Sequence, residues 1–115
     1  MNIKKVIGNT GEEKVVWKYR LKGYRILARN FSCRYGELDI VAQKGDTIAV
    51  IEVKTRKNDK FAQAKEFVDY RKQEKIKNTT NIFLQKNKLA DYNIRFDVAE
   101  VYTESNTINI IENAF

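Results

Sequence analysis

The sequence predicts an α/β fold, a central mixed β-sheet flanked by helices in the order α-β-β-β-α-β-β. Three observations carry that expectation. Residues 9–22 and 62–87 repeat apolar side chains at helical spacing, whereas 24–31, 37–42, 47–54, 93–102 and 107–111 alternate or run apolar over strand lengths. The first three strand-like segments follow one another across short turns as a meander, and a long helical stretch separates them from the last two. The 115 residues contain no repeat, low-complexity tract or linker, so one domain over residues 1–115 with a single core is expected.

Each element has a local reason. In the first helix Thr10 can cap the N-terminus, Glu13 completes a capping box, and Gly23 suits the stop. Val15, Val16 and Tyr19 form its apolar face. Glu12, three and four residues before the valines, shares that face; it is either functional or a first-turn carboxylate favoured by the helix dipole. The first strand should set Arg25, Leu27, Arg29 and Phe31 against Tyr24, Ile26, Ala28 and Asn30. The second should set Leu38, Ile40 and Ala42 against Glu37, Asp39 and Val41. Lys44-Gly45-Asp46 reads as a turn. In the third strand Ile48, Val50, Glu52 and Lys54 share a face, and residues 55–61 read as a loop. The second helix should break near Phe67 to Asp69. Beyond the break, Lys72, Ile76, Thr79, Thr80, Phe83 and Leu84 fall on the core side. Ile94, Phe96, Val98 and Tyr102 alternate along the fourth strand.

Composition narrows the chemistry. There is no histidine and no proline, and Cys33 is the one cysteine. Histidine triads, imidazole acid–base pairs and His-ligated zinc are therefore excluded, as are a CxxC redox pair and an intrachain disulfide. Carboxylates, lysines, hydroxyls and a hard cation remain. Cys33 fits a small structural residue and a reducing compartment. The start has no apolar run suited to a signal peptide. The longest apolar stretch, broken at Glu52, is far short of the roughly 20 residues of a membrane helix. A cytoplasmic location and no membrane association are expected.

The net charge is +7, unevenly spread: +7 over residues 1–34, −2 over 35–55, +4 over 56–77 and −2 over 78–115. An acidic segment thus lies between two basic ones. That is either ordinary surface clustering or a cation site flanked by phosphate-binding surface. Trp17, Tyr19, Arg20, Tyr24 and Arg25 interleave as nucleic-acid surfaces do, but amphipathic surfaces share the pattern, and Trp17 can pack or stack.

An acid two residues before a lysine occurs twice, at Glu12-Glu13-Lys14 and Glu52-Val53-Lys54, about the number chance gives. Context separates the second. Glu52 interrupts the most apolar strand, where a charge is costly unless paired or bound to a cation. Asp39 sits between Leu38 and Ile40 on the neighbouring strand, and the intervening turn can bring the two carboxylates together. Close carboxylates repel unless a divalent cation neutralises both, and Mg²⁺ suits oxygen ligands with several retained waters. Lys54 could then orient or deprotonate a water and stabilise charge on a phosphate. The structural alternative pairs Asp39 and Glu52 across strands with Lys54 or Arg34. Lys72 can likewise simply extend its ammonium from a partly buried helix to water.

Gly11-Glu12, Arg29-Asn30-Phe31, Gly36-Glu37-Leu38-Asp39, Glu52-Val53-Lys54-Thr55-Arg56, Lys72, Arg95-Phe96-Asp97 and Asn113-Ala114-Phe115 resemble the bacterial YraN family in order and spacing, over nearly the whole chain. That family looks like the restriction-endonuclease-like PD-(D/E)xK superfamily and is similar to archaeal Holliday-junction resolvases. The resemblance implies a restriction-endonuclease-like three-layer fold and a Mg²⁺- or Mn²⁺-dependent nuclease acting on DNA, including branched DNA, as a homodimer. It implies that Asp39 and Glu52 are metal ligands, that Lys54 is the catalytic lysine, and that Glu12 is an additional helix carboxylate; on the leading reading the Val53 carbonyl would help hold the cation. Arg34, Arg56 and Lys72 would engage phosphates. Leu38 stands where the superfamily's nominal motif has proline, and Val15-Val16 where the family usually has small residues. A nucleic-acid-binding protein with the nuclease fold and no turnover is the alternative, and an assembly protein with an apolar edge is a third.

Overall fold

The computed structural model describes residues 10–58 and 69–115. Its elements are helix α1 (Thr10–Leu21), strands β1 (Arg25–Cys33), β2 (Gly36–Lys44) and β3 (Thr47–Arg56), helix α2 (Tyr70–Lys86), and strands β4 (Asn93–Tyr102) and β5 (Thr107–Ile111). They form a five-stranded sheet of order β1-β2-β3-β4-β5, antiparallel except for the β3–β4 pair, which is parallel. A parallel neighbour needs a long crossover, and the segment containing α2 supplies it.

The helices lie on opposite faces. Val15, Val16 and Tyr19 of α1 pack with Ile40, Ala42, Ala49, Ile51, Ala99 and Val101. Ile76, Phe83 and Leu84 of α2 pack with Leu38, Val41, Ile48, Val50 and Val98 on the other side. Each strand feeds both cores because successive side chains alternate across the sheet. No helix among the described residues is long and apolar enough to cross a membrane.

Local chemistry sets the ends. At the close of α1, Tyr24 N–H donates to the Tyr19 carbonyl (3.0 Å) and Gly23 N–H to the Arg20 carbonyl (2.9 Å). This Schellman arrangement needs the left-handed φ of +95° that Gly23 adopts. Tyr19 and Tyr24 close it edge to face, 5.0 Å apart. Helix α2 begins after Asp69, whose carboxylate caps it by accepting from Lys72 N–H at 2.9 Å; the predicted break over 67–69 falls partly outside the described residues. The predicted helix from 62 and the loop residues 59–61 lie outside the described residues, as does the Thr10 side chain. The Glu13 carboxylate pairs with Arg29 at 2.8 Å; the capping box itself rests on Thr10.

Three expectations need correction. Thr55 and Arg56 continue β3 instead of starting a loop, because β4 pairs with them as far as Tyr102. Strand β1 does not alternate simply. Its register shifts between Ile26 and Ala28, and Asn30 takes a φ of +54°, so Leu27, Ala28 and Phe31 all join the α2 core. In β2 the predicted Leu38–Ile40–Ala42 face is split: Leu38 packs with Val41 toward α2, while Ile40 and Ala42 face α1. The left-handed Asn30 and the split in β2 sit at the end of the sheet where Asp39 stands, whereas the register shift lies opposite Val41 and Ala42.

Candidate functional site

The β2–β3 pairing runs from Lys44↔Thr47 to Ile40↔Ile51 and stops there. One step beyond, the Val53 N–H, aimed at β2, finds the Asp39 carboxylate at 2.8 Å in place of a backbone carbonyl. Both polar groups of a strand residue face the same neighbouring strand, so the Val53 carbonyl is turned to this side as well. Asp39 therefore occupies the parting of two strands, which explains how a carboxylate stands between Leu38 and Ile40.

Glu52 lies beside it, its side chain only 11% exposed, and accepts from the Lys72 ammonium at 2.6 Å. Burial pushes the Asp39 carboxyl up to about 6. The Val53 hydrogen bond opposes that rise, and the charge and shared hydrogen bond of Glu52 add to it. The Lys72 ammonium is held above the usual lysine range, chiefly by its hydrogen bond to Glu52. Lys54 moves the other way: partial burial lowers it, and the nearby Lys72 charge lowers it further. Two lysines at one site are thus driven in opposite directions, one pinned as a cation and one brought closer to releasing its proton.

The folded chain brings together Asp39, Glu52, Val53, Lys54 and Lys72. Asp39 and Glu52 are not consumed in pairs with Lys54 or Arg34; the cation on Glu52 comes from α2. Glu12 stands apart from them. Its Oε1 accepts from Arg29 Nε at 3.1 Å and from Asn30 Nδ2 at 3.2 Å. Asn30 lies in β1 between the Arg29↔Ile40 and Phe31↔Leu38 pairs, across from Asp39. Glu12 thus reaches the same end of the sheet from the α1 side. Gly11 allows this approach, since a Cβ there would stand 3.1 Å from Thr55 Oγ1. Among the described residues, no three Asp, Glu, Cys or His side chains converge as a cage for a metal ion.

Arg34 is at the β1–β2 turn, where it donates to the Tyr35 hydroxyl at 2.8 Å. Arg56, one strand step past the site, has Nε 3.3 Å from Glu100, both side chains largely buried. Glu100 escaped the sequence reading. It is in register with Lys54 on β4 and also accepts from Asn109. The signal was the gap at position 100 in the alternation of Phe96, Val98 and Tyr102. Trp17 proves exposed, at 54%, with Arg20 over its ring at 5.0 Å.

Arg95 and Asp97 also had no assigned role. Asp97 is fully buried and accepts from Tyr19 Oη (2.7 Å), Arg95 Nε (2.9 Å) and Nη2 (2.8 Å), and the Asn113 N–H (3.0 Å). The anion pushes the Tyr19 hydroxyl well above its ordinary range, after burial itself, and raises Arg95. This network joins α1, β4 and the C-terminal segment; Asp97 is in register with Ile51, on the α1 side of the sheet, next to Glu52 along β3.

A profile described as "Uncharacterised protein family UPF0102" matches residues 11–101. The chain is similar to a UPF0102 protein of Caldicellulosiruptor saccharolyticus, with 45% identity over 97% of this chain and 98% of the relative. A UPF0102 protein of Alkaliphilus oremlandii is 44% identical over 96% and 98% of the two chains, and one of Clostridium tetani is 42% identical over 96% and 94%.

Proposed function

The chain belongs to the uncharacterised protein family UPF0102, the YraN family of the sequence resemblance, and on that premise we propose that it is a metal-dependent nuclease acting on DNA. The observation that carries this reading is the meeting of Asp39, Glu52 and Lys54 where β2 parts from β3. Helices on opposite faces of a mixed sheet, with acids at the parting strands, support a restriction-endonuclease-like three-layer arrangement.

The donors fit a hard divalent cation. Two carboxylates at the end of the sheet, one already pushed toward its neutral form by burial and by the other, have an electrostatic need that a divalent ion relieves. Asp39, Glu52 and the Val53 carbonyl would hold Mg²⁺ or Mn²⁺, and water would complete the shell in the absence of a third acid. A bound cation supplies Lewis-acid stabilisation of the phosphate and acidifies a coordinated water. Lys54, its pKa lowered, orients the attacking water and exchanges a proton with it more readily than an exposed lysine would. Lys72 and Arg34 present cations to the phosphates, Arg56 braces the end of β3 against Glu100, and Glu12 reaches the site through Asn30.

The test is a cleavage panel of branched, flapped and linear DNA in Mg²⁺ and in Mn²⁺. Scission should fall at least ~100-fold in Glu52→Ala and Lys54→Ala, in proportion to the loss of a positioned proton-transfer group, with folding checked by circular dichroism. Undiminished scission in folded Glu52→Ala protein would place the reaction elsewhere. The 2.6 Å Lys72–Glu52 ion pair favours a second reading, a nucleic-acid-binding protein that keeps the fold and has no turnover, because it already neutralises one ligand. Salt-sensitive binding without scission of any substrate in either metal would select it.

A further inference from the structure

The β1–β2 hairpin presents a second group of residues next to this site. Arg34 and Tyr35 form its tip. The Arg34 guanidinium lies 4.9 Å above the Tyr35 ring, which remains 39% exposed. The tip leans on α2: a Cβ on Gly36 would meet Thr79 Oγ1 at 3.2 Å and Lys75 Cβ at 3.8 Å. Lys86 of α2 reaches over the Phe31 ring at 5.8 Å. Arg71 lies one helical turn before Lys75, on the same side of α2. Exposed Arg34, Arg71, Lys75 and Lys86 thus line a seam between hairpin and helix that runs to Lys72 and the carboxylates. Half-buried Glu74 is on the far side of α2 from Lys72 but three residues after Arg71, so it borders the seam there, and Glu37 is the one acid of residues 31–38.

A row of cations suits a phosphate backbone. Tyr35 adds something a duplex does not use, an exposed π-face already paired with a guanidinium, to which a base can be added only if it is out of its own stack. Among the described residues the other exposed aromatics are Trp17, on the α1 side, and Tyr70, which points away from Lys72. Tyr35 precedes Asp39 by four residues, about 13 Å along the strand. Resting on the reading of Asp39 and Glu52 as the reacting centre, we infer that the seam binds a DNA strand with unpaired nucleotides, one base stacking on Tyr35 while its backbone runs toward the carboxylates.

Fluorescence anisotropy in EDTA tests this without cleavage, using a labelled oligothymidylate and a blunt duplex of equal length. Wild-type protein should bind the single strand more tightly. Tyr35→Ala should weaken that binding by about five- to 100-fold and leave the duplex unchanged, while Tyr35→Phe keeps wild-type affinity. Arg71→Ala with Lys75→Ala should weaken both probes and reduce the salt slope by about 2. Equal or tighter binding of the duplex, or single-strand affinity unmoved in Tyr35→Ala, would overturn the inference; circular dichroism of both Tyr35 variants checks their folding. The two readings fail separately. Tyr35-dependent binding with no scission in Mg²⁺ removes the nuclease reading alone, and Glu52-dependent scission indifferent to Tyr35 removes the stacking strand alone.

Discussion

Replacing Asp39 with asparagine should make the metal-free protein more stable at neutral pH while abolishing metal-dependent chemistry. The Asp39 carboxyl has its pKa raised from 3.8 to about 6 in the folded chain. Because the folded-state value is the higher one, the folded state binds this proton more tightly than the unfolded state. The contribution is fully present below pH about 4 and is lost as pH rises through about 6. At about 1.4 kcal/mol per pH unit the span corresponds to about 3 kcal/mol, which partial solvent access reduces to about 2. In Asp39→Asn the side-chain amide oxygen would still accept the Val53 N–H but carry no charge, so the variant would escape that loss. Urea unfolding at pH 4 and pH 7.5 reads the difference. The variant should match the wild type within about 0.5 kcal/mol at the lower pH and exceed it by about 2 kcal/mol at the higher, or roughly 8 °C in Tm for a chain of this size. Millimolar Mg²⁺ should then stabilise only the wild type, by mass action on the folded state. A variant less stable than the wild type at pH 7.5, or an equal difference at both pH values, would refute the account of Asp39 as a charge held at a stability cost.

Two other substitutions probe the neighbouring groups. Lys72→Met removes both the cation that would compete for Glu52 and a positive charge beside the proposed metal position, so Mn²⁺ affinity by titration calorimetry should rise about two- to fivefold, matching a half-exposed ion pair of about 0.5–1 kcal/mol; an unchanged or weaker affinity contradicts this. Asp97→Ala leaves Arg95, the Tyr19 hydroxyl and the Asn113 N–H without their buried acceptor and should cost about 3–5 kcal/mol in urea unfolding, while Asp97→Asn, which keeps an acceptor, should cost less.

How far these residues were legible in the sequence depends on the kind of signal each gave. Element order, the bounds of β4 and β5, the Gly23 stop and the start of α2 after Asp69 were legible because periodicity and end residues are local. The face of Glu52 followed from the period of two along β3, and Lys72 from helical spacing. What failed was alternation in β1 and β2. A one-residue shift near Leu27 and a left-handed Asn30 invert the faces downstream, and no composition rule marks either position. Asp97 was invisible for a different reason: its partners Tyr19, Arg95 and Asn113 are scattered along the chain and meet only in the fold.

The irregular strands and the carboxylate pair belong to one arrangement. Had β2 and β3 kept pairing past Ile40↔Ile51, the Val53 N–H and carbonyl would both have been consumed by the ladder, and Asp39 would have had no donor to face. Parting the strands at this point costs backbone hydrogen bonds, one of which the Asp39 carboxylate replaces. The replacement is an anion, next to a second anion, at a position where burial already opposes ionisation. Lys72 offsets part of that repulsion from α2, but through a half-exposed side chain that can swing away, whereas Asp39 and Val53 are fixed by the sheet. The rigid part of the site is therefore its oxygen donors and the movable part is its monovalent cation. Under the proposed function, that division suits a place where a lysine holds the charge until a divalent cation binds.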